Sequence, residues 1–343
     1  MKKTPSKILA TDTNPPAKKV PPKRKPAVKA SVKTAPAKST PKKVEPTLAR
    51  LFQVTPAGVT LADATCEPFK LQEEGFLPLV DGLRQLSLDP AVRKSPYWGL
   101  MPSDFMQRTG LTGETLRLAI AAKPGFEVYF CHAHPELEAV YHNPWLQAEV
   151  THPNFLLLAR EFLKAAGLSD APLDTLTPSA LFATGHLVVA TPEFWDDYLA
   201  FIDQAVTKAQ AGLGKTARMA LFEEPLQTGK FSYLYLIVAR LLGIFLTLKD
   251  RPGKSCKLVL PTEKDLNVHL RLLREMKDAA IVQKSRWMTA CWANYRALYF
   301  AQTLGKPWMK TNLPAISPKS LRLGAPALGI DYAYPHTTEA AKA

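Results

Sequence analysis

The stretch 97–153 constrains this chain more than any other, because it reads strand, turn, helix, strand, and then a run of histidines, carboxamides and carboxylates. YWGLM (Tyr97–Met101) is followed by SDFMQRTGLTGETLRLAIAA, then FEVYF (Phe126–Phe130), then CHAHPELEAVYHNPWLQAEVTHP. Two short apolar runs that each open into polar side chains are the ends of strands in an open α/β sheet, and such folds bind ligands there. The search for a site starts at those two ends.

The rest of the pattern agrees with a layered α/β domain. LFQVT (Leu51–Thr55) reads as a first strand and QEEGFLPLVDGLRQL (Gln72–Leu86) as a helix carrying Pro78. Thr112 can cap a helix running to Ala122. Pro135 suits a first helical turn, and Pro144 should end or kink that helix. Asn154–Gly167 has apolar residues at helical spacing and a glycine stop. HLVVA (His186–Ala190) is a buried strand, and Thr191, Pro192 and the acidic Glu193, Asp196 and Asp197 open a helix. CKLVL (Cys256–Leu260) is a possible last strand before helices over Glu263–Ala280 and Val282–Thr303. Strands that alternate with helices, without Asn-Gly hairpin signals, favour an α/β layered domain over an all-β one.

Charge divides the chain differently. Residues 1–47 hold 12 Lys, one Arg and nine Pro against only Asp12 and Glu45, a net +11 of the chain's +14. A segment so charged and so poor in apolar residues cannot bury enough surface to offset chain entropy, so a disordered basic tail is expected. Its cations can hold nucleic acid or an anionic membrane through counterion release, without sequence selectivity. The expected organisation is therefore a tail over 1–47, an α/β domain ending in helices over 48–303, and a Pro-, Gly- and Ser-rich loop over 304–343. Cys66, Cys131, Cys256 and Cys291 are scattered, with no CxxC pair, which indicates neither a disulfide framework nor a zinc ribbon. The N-terminus lacks the apolar region of a secretory signal. Arg240 interrupts the longest apolar run, Phe231–Leu248, making it a buried helix rather than a membrane span. A cytoplasmic protein is expected, with the inner face of the membrane as a second possible place.

Several motifs have plain readings beside functional ones. AQAGLGKT (Ala209–Thr216) ends like a phosphate loop but has Ala209 where that loop needs glycine, and a helix precedes it, so it reads as a flexible linker. No GxGxxG or GxSxG occurs. His132 and His134, with Glu136 nearby, have a spacing that a divalent cation can use if the strand continues. The favoured reading is that they decorate a strand-to-helix loop, since no matched second pair completes a four-ligand set. Met288, Cys291, Trp292, Tyr295, Leu298 and Tyr299 form a helical stripe read as packing, and Arg271, Arg274, Lys277, Lys284 and Arg286 a solvated basic surface.

Several blocks carry a resemblance. YWGL (97–100), Phe105, RTGLT (108–112), Glu127–Tyr129, NPWLQAEVTHP (143–153) and VATPEFW (189–195) resemble a family of bacterial glycosyltransferase-like proteins associated with surface-polysaccharide synthesis. That family is distantly similar to capsular glycosyltransferases of the GT-A fold, and the resemblance covers roughly Leu51 to Leu248. It implies a GT-A-like, Rossmann-like open mixed sheet flanked by helices, a nucleotide-sugar donor and a glycan acceptor. Residue by residue, it retains Asn143, Gln147, Glu149 and His152. Asn143, Gln147 and His152 would supply polar contacts, Glu149 the base for the acceptor hydroxyl, and Tyr97 and Trp98 the packing against donor base or sugar. The chain departs from the pattern where Pro102, Ser103 and Asp104 replace Ser-Pro-Lys, where His132 replaces a serine and where His186 replaces an asparagine. Asp104 and His186 join the expected substrate contacts on the strength of their positions. Many GT-A enzymes bind Mn or Mg with Asp-x-Asp, and this sequence contains no Asp-x-Asp. Glu136 and Glu138 would have to substitute, or transfer would be metal-independent. The competing reading is a non-catalytic binding protein that holds a polyanion through its tail.

Overall fold

The computed structural model describes residues 49–55, 63–71, 77–223, 232–248 and 252–303. The basic segment 1–47, the loop 304–343 and the first part of the helix expected over Gln72–Leu86 lie outside the described residues. All described residues belong to one unit of the chain, Pro46–Ala343.

The expected strands at Leu51, Tyr97, Phe126, His186 and Cys256 are all present, with a short one between the first two. β1 (Ala49–Val54) and β2 (Glu67–Phe69) lead into helices α1 (Pro78–Ser87) and α2 (Pro90–Arg93), then β3 (Tyr97–Met101). Helices α3 (Phe105–Thr109) and α4 (Gly113–Ala121) precede β4 (Val128–Phe130). Thr112 caps α4 in a box with Thr115, as its hydroxyl chemistry predicts. Next come α5 (Pro135–Val140), α6 (Pro144–Thr151) and α7 (Phe155–Ala165), then β5 (Val188–Ala190) and the long α8 (Pro192–Gly212). After α9 (Lys215–Phe222), α10 (Tyr233–Val238) and α11 (Leu241–Leu248), the chain enters β6 (Ser255–Lys257) and closes with α12 (Val268–Val282) and α13 (Arg286–Thr303).

The six strands form one open mixed sheet in the order β2-β1-β3-β5-β4-β6. β1 runs parallel to β2 and β3, β4 runs parallel to β6, and β5 is antiparallel to both of its neighbours. Five strands thus point one way and β5 the other. Gly99 makes the β3–β5 approach possible, because a Cβ there would collide with the Val188 carbonyl oxygen.

Alternation along the strands splits the core into two layers. Phe52, Trp98, Leu100, Phe130 and Val188 pack beneath α1, α7, α8, α10 and α11, while Leu51, Met101, Tyr129 and Val189 meet Phe105, Leu116 and Ile120 of α3 and α4. Trp98 is wholly buried: it stacks on Trp195 at 5.0 Å, and the Trp195 indole donates to the Trp98 carbonyl at 2.9 Å. A third cluster, including Leu137, Val140, Leu273, Trp292 and Phe300, joins α5 to the α12–α13 pair.

Three expectations need correction. Pro144 neither kinks nor merely ends a helix; Asn143 and Pro144 start a new one, because α5 has already stopped at Val140. Phe231–Leu248 is not one helix, since the chain breaks at Ala239–Arg240 between α10 and α11. The stretch read as a flexible linker is a tight break between α8 and α9, with Leu213 and Gly214 in extended geometry. Among the described residues no helix is long and apolar enough to cross a membrane.

Candidate functional site

Ligands of open α/β sheets sit beyond the carboxyl ends of the strands. At that edge of this sheet lie the residues leaving β1, β3, β4 and β6, together with the residues entering β5, because β5 is reversed. Gln53, buried at the end of β1, donates from Nε2 to the carbonyls of Pro102 and Ser103 at 3.4 and 3.0 Å and pins the turn into α3. That turn presents Asp104 and Arg108, one helical turn apart and 3.8 Å from each other, both well exposed.

The end of β4 carries the charged part of the edge. Cys131 donates its backbone amide to Leu187 at 3.1 Å, so His132 and His186 leave neighbouring strands side by side. His132 is buried, with Nδ1 3.4 Å from Glu138 Oε1, an ion-pair distance rather than a hydrogen bond. The fully buried Glu138 pairs with Lys257, which leaves the edge on the adjacent β6. Burial pushes the His132 pKa below its ordinary value. Burial opposes ionisation of Glu138, but the His132 and Lys257 contacts outweigh it and hold the carboxyl below its ordinary value. Lys257 and Arg108 both act on the Cys131 thiol, whose pKa burial nevertheless raises to about 12. Burial thus favours the protonated thiol, and Lys257 stands beside the end of β4, in register with Phe130.

His134 stands in contrast to its neighbours. Its side chain is 46% exposed, with Nδ1 3.4 Å from Glu136 Oε1. His186 is buried against the edge of the Tyr235 ring at 5.8 Å, and burial lowers its pKa to about 4. Burial raises the Tyr235 pKa, with Asp104, Arg108 and Arg240 near enough to act on it. Thus α10 lies over His186.

The set carried over from the resemblance gathers on α6, where the structure employs it to hold backbone. Asn143 caps α6 by accepting from the Leu146 amide at 2.7 Å, and its Nδ2 donates to the carbonyls of Leu173 and Thr175, both at 3.0 Å. Gln147 accepts from Arg240 at 2.9 Å. Buried Arg240 also donates to Pro144 and Leu236 carbonyls, and burial brings its pKa down to about 9. Glu149 accepts from the amides of Asn154 and Leu156 at 3.1 and 2.7 Å, which makes it the cap of α7. His152 shares a 2.8 Å hydrogen bond with Thr151 and meets the Tyr233 ring edge-on. Tyr233 and Tyr235 project from the same short helix, so α10 links the α6 set to the sheet edge.

Two other expected contacts, Trp98 and Tyr97, are tied into the fold. Trp98 belongs to the core, as described above, and Tyr97 donates its hydroxyl to the Phe126 carbonyl at 2.9 Å between β3 and β4. The His132 and His134 rings stand edge to face at 6.3 Å, with His132 Nδ1 toward Glu138 and His134 Nδ1 toward Glu136. Among the described residues no three or more His, Cys, Asp or Glu side chains are placed to hold a metal ion. A cavity of about 130 Å³ lies elsewhere, between α6, α11 and the 172–181 segment, lined by Trp145, Leu181 and Arg240 among others.

Sequence reasoning missed Arg108, Lys257 and Tyr235 as edge residues. Lys257 had a signal: one cation inside an apolar strand pattern. Arg108 was quoted only for resemblance, and Tyr235 sat in an apolar run with nothing to mark it. Comparisons with protein-family models, curated proteins and solved structures find no match for this chain.

Proposed function

We propose that this chain is a glycosyltransferase-like enzyme, GT-A-like in fold, that moves a sugar from a nucleotide-sugar donor to a glycan acceptor at the carboxyl edge of its sheet. The observation that carries this reading is the presence of two cations at the carboxyl edge, Lys257 in register with Phe130 at the end of β4 and exposed Arg108 on the helix that follows β3. In transfer, the bond from the sugar C1 to the diphosphate oxygen breaks with its electron pair going to the diphosphate, and C1 bonds to the acceptor oxygen. Arg108 and Lys257 would stabilise the charge that develops on the leaving group. The GT-A likeness implies a divalent ion, Mn or Mg, but the side chains described do not form a ligand set for it, so no step is routed through one.

The acceptor proton needs a base. Glu149 was the base implied by the resemblance, and both of its carboxylate oxygens are occupied by amide hydrogen bonds at the start of α7. His134 suits the role better, because Glu136 faces Nδ1 and the exposed ring leaves Nε2 available. Segment 1–47 would bring the chain to a polyanion or anionic membrane.

A thermal-shift screen of the full chain with UDP, GDP, dTDP and CMP, each with and without Mn²⁺, tests the donor site. One nucleotide at 100 times its dissociation constant should stabilise by about 2.7 kcal/mol, and Arg108→Ala should weaken it without changing the ligand-free melting temperature. With that nucleotide's sugars as donors, Glu149→Gln should lower stability by about 1 kcal/mol and spare transfer, while His134→Asn should cut transfer by about 10² or more. If no nucleotide stabilises the chain, the reading fails. If Glu149→Gln abolishes transfer at unchanged stability, Glu149 is the base after all.

A further inference from the structure

The α12–α13 hairpin has an inner and an outer face of different character. Its inner face is tied to α5: the Trp292 indole donates to Ala139 and Arg296 to Val140, while Lys277 donates to the carbonyls of Glu138 and Tyr141. Lys277 is fully buried, so the basic cluster read from sequence is not one solvated surface. Trp292, Arg296 and Phe300 mark the inner line of α13. On the opposite side, Trp287, Ala290, Asn294, Leu298 and Ala301 are exposed at spacings of three and four, a second helical line that bears no charge. The packing stripe expected on α13 is therefore split, since Leu298 is 60% exposed while Trp292 is buried.

The turn between the helices carries the sharpest feature. Val282 is 81% exposed and Trp287 75% exposed, with exposed Lys284 and Arg286 between them. From Met276 to Thr303 the only acidic residue is Asp278, and its carboxylate accepts from the Ser179 amide. Among the described residues Lys284 and Arg286 have no carboxylate partner, and an indole and an aliphatic side chain flanked by such cations match the boundary of an anionic bilayer: the ring sits at headgroup depth and the cations reach lipid phosphates.

We propose that the tip of the α12–α13 hairpin, with the outer face of α13 behind it, docks on an anionic lipid surface through Trp287, Val282, Lys284 and Arg286. The chemistry favours lipid over the other occupants. A two-fold contact with a second copy of this tip would set Lys284 and Arg286 against their own equivalents. Residues 304–343 carry five cations against only Asp331 and Glu339, so their charge does not complement Lys284 and Arg286. The surface belongs to a different stretch of the chain from residues 1–47, and two weak attachments together give the stable anchoring that one alone does not. The proposal does not depend on the glycosyltransferase reading.

The test uses the full chain with vesicles of phosphatidylcholine alone and of two parts phosphatidylcholine to one part phosphatidylglycerol, each also made with brominated acyl chains. Because the basic tail can hold anionic vesicles by charge alone, depth is the deciding readout. The brominated anionic vesicles should quench tryptophan fluorescence, and Trp287→Phe should remove that quenching. Trp287→Glu should weaken partitioning about tenfold at an unchanged melting temperature. Lys284→Gln with Arg286→Gln should weaken it on the order of twentyfold, since each cation near such a surface is worth about fivefold. Quenching that is absent, or that persists in Trp287→Phe, overturns the proposal. So does a Trp287→Glu chain that binds vesicles as before, and a simultaneous change in its oligomeric state would assign the face to a second copy.

Discussion

His186 enters the sheet edge with the Tyr235 ring against it, and burial brings its pKa to about 4. An imidazole in the unfolded chain takes up its proton near pH 6.5, whereas this one stays neutral until far lower pH. The unfolded state therefore binds more protons between those values, and stability is full above about pH 6.5 and lost as pH falls toward about 4. For His186 the loss is on the order of 2 kcal/mol between about pH 7 and about pH 5. His142, held down to about 3 first by burial and then by the charges of Arg296 and Lys277, adds in the same direction. Urea titrations of the native chain and of His186→Phe at the two pH values check this: the variant should lose part of the pH dependence, and an identical dependence would exclude His186 as its source. Sequence showed that histidines crowd here, but not which would be buried. His132, His134 and His186 look alike in sequence, yet His132 and His186 are buried, against Glu138 and Tyr235, while His134 is exposed beside Glu136.

Elements depend on single residues where strands approach closely. At Gly99 a Cβ would meet the Val188 carbonyl oxygen, with Met101 Cε and Val189 Cγ2 each at 3.0 Å. Side chains can shift, but a paired backbone carbonyl cannot shift cheaply. Gly99→Ala should cost about 1–3 kcal/mol as overpacking, read as a lower denaturation midpoint with faster amide exchange in β3 and β5. An unchanged midpoint would mean the strands separate at no cost. Strands and helix starts were legible in the sequence because their signals are local: Thr112 and Thr191 both cap as their chemistry predicts. The short β2, the α3 turn and the break at Arg240 were not, since long-range partners create them. Arg240 interrupts an apolar run because its guanidinium binds α6, 96 residues away by sequence. Asn143, Gln147 and Glu149 stood out as a polar group, yet their common task of fixing α6 became visible only with Leu173, Arg240 and Leu156 in place.

At the scale of the whole molecule, charge and fold are carried by different stretches of chain. Residues 1–47 hold +11 of the net +14, and counterion release predicts that polyanion binding weakens with salt at about 0.9 logarithmic units per duplex phosphate neutralised. Deleting 1–47 should remove that binding while leaving the melting temperature nearly unchanged. A large fall in melting temperature would show that the segment contributes to the fold. The sheet, in turn, is finished from far away: β6 pairs Ser255 with Val128, 127 positions earlier. On a ribosome adding about 5–20 residues per second, Glu138 emerges roughly ten seconds before Lys257. Throughout that interval the carboxylate lacks its partner, and β4 presents an open edge to any other strand. The youngest chains, waiting for a three-residue strand, are thus the ones most exposed to aggregation.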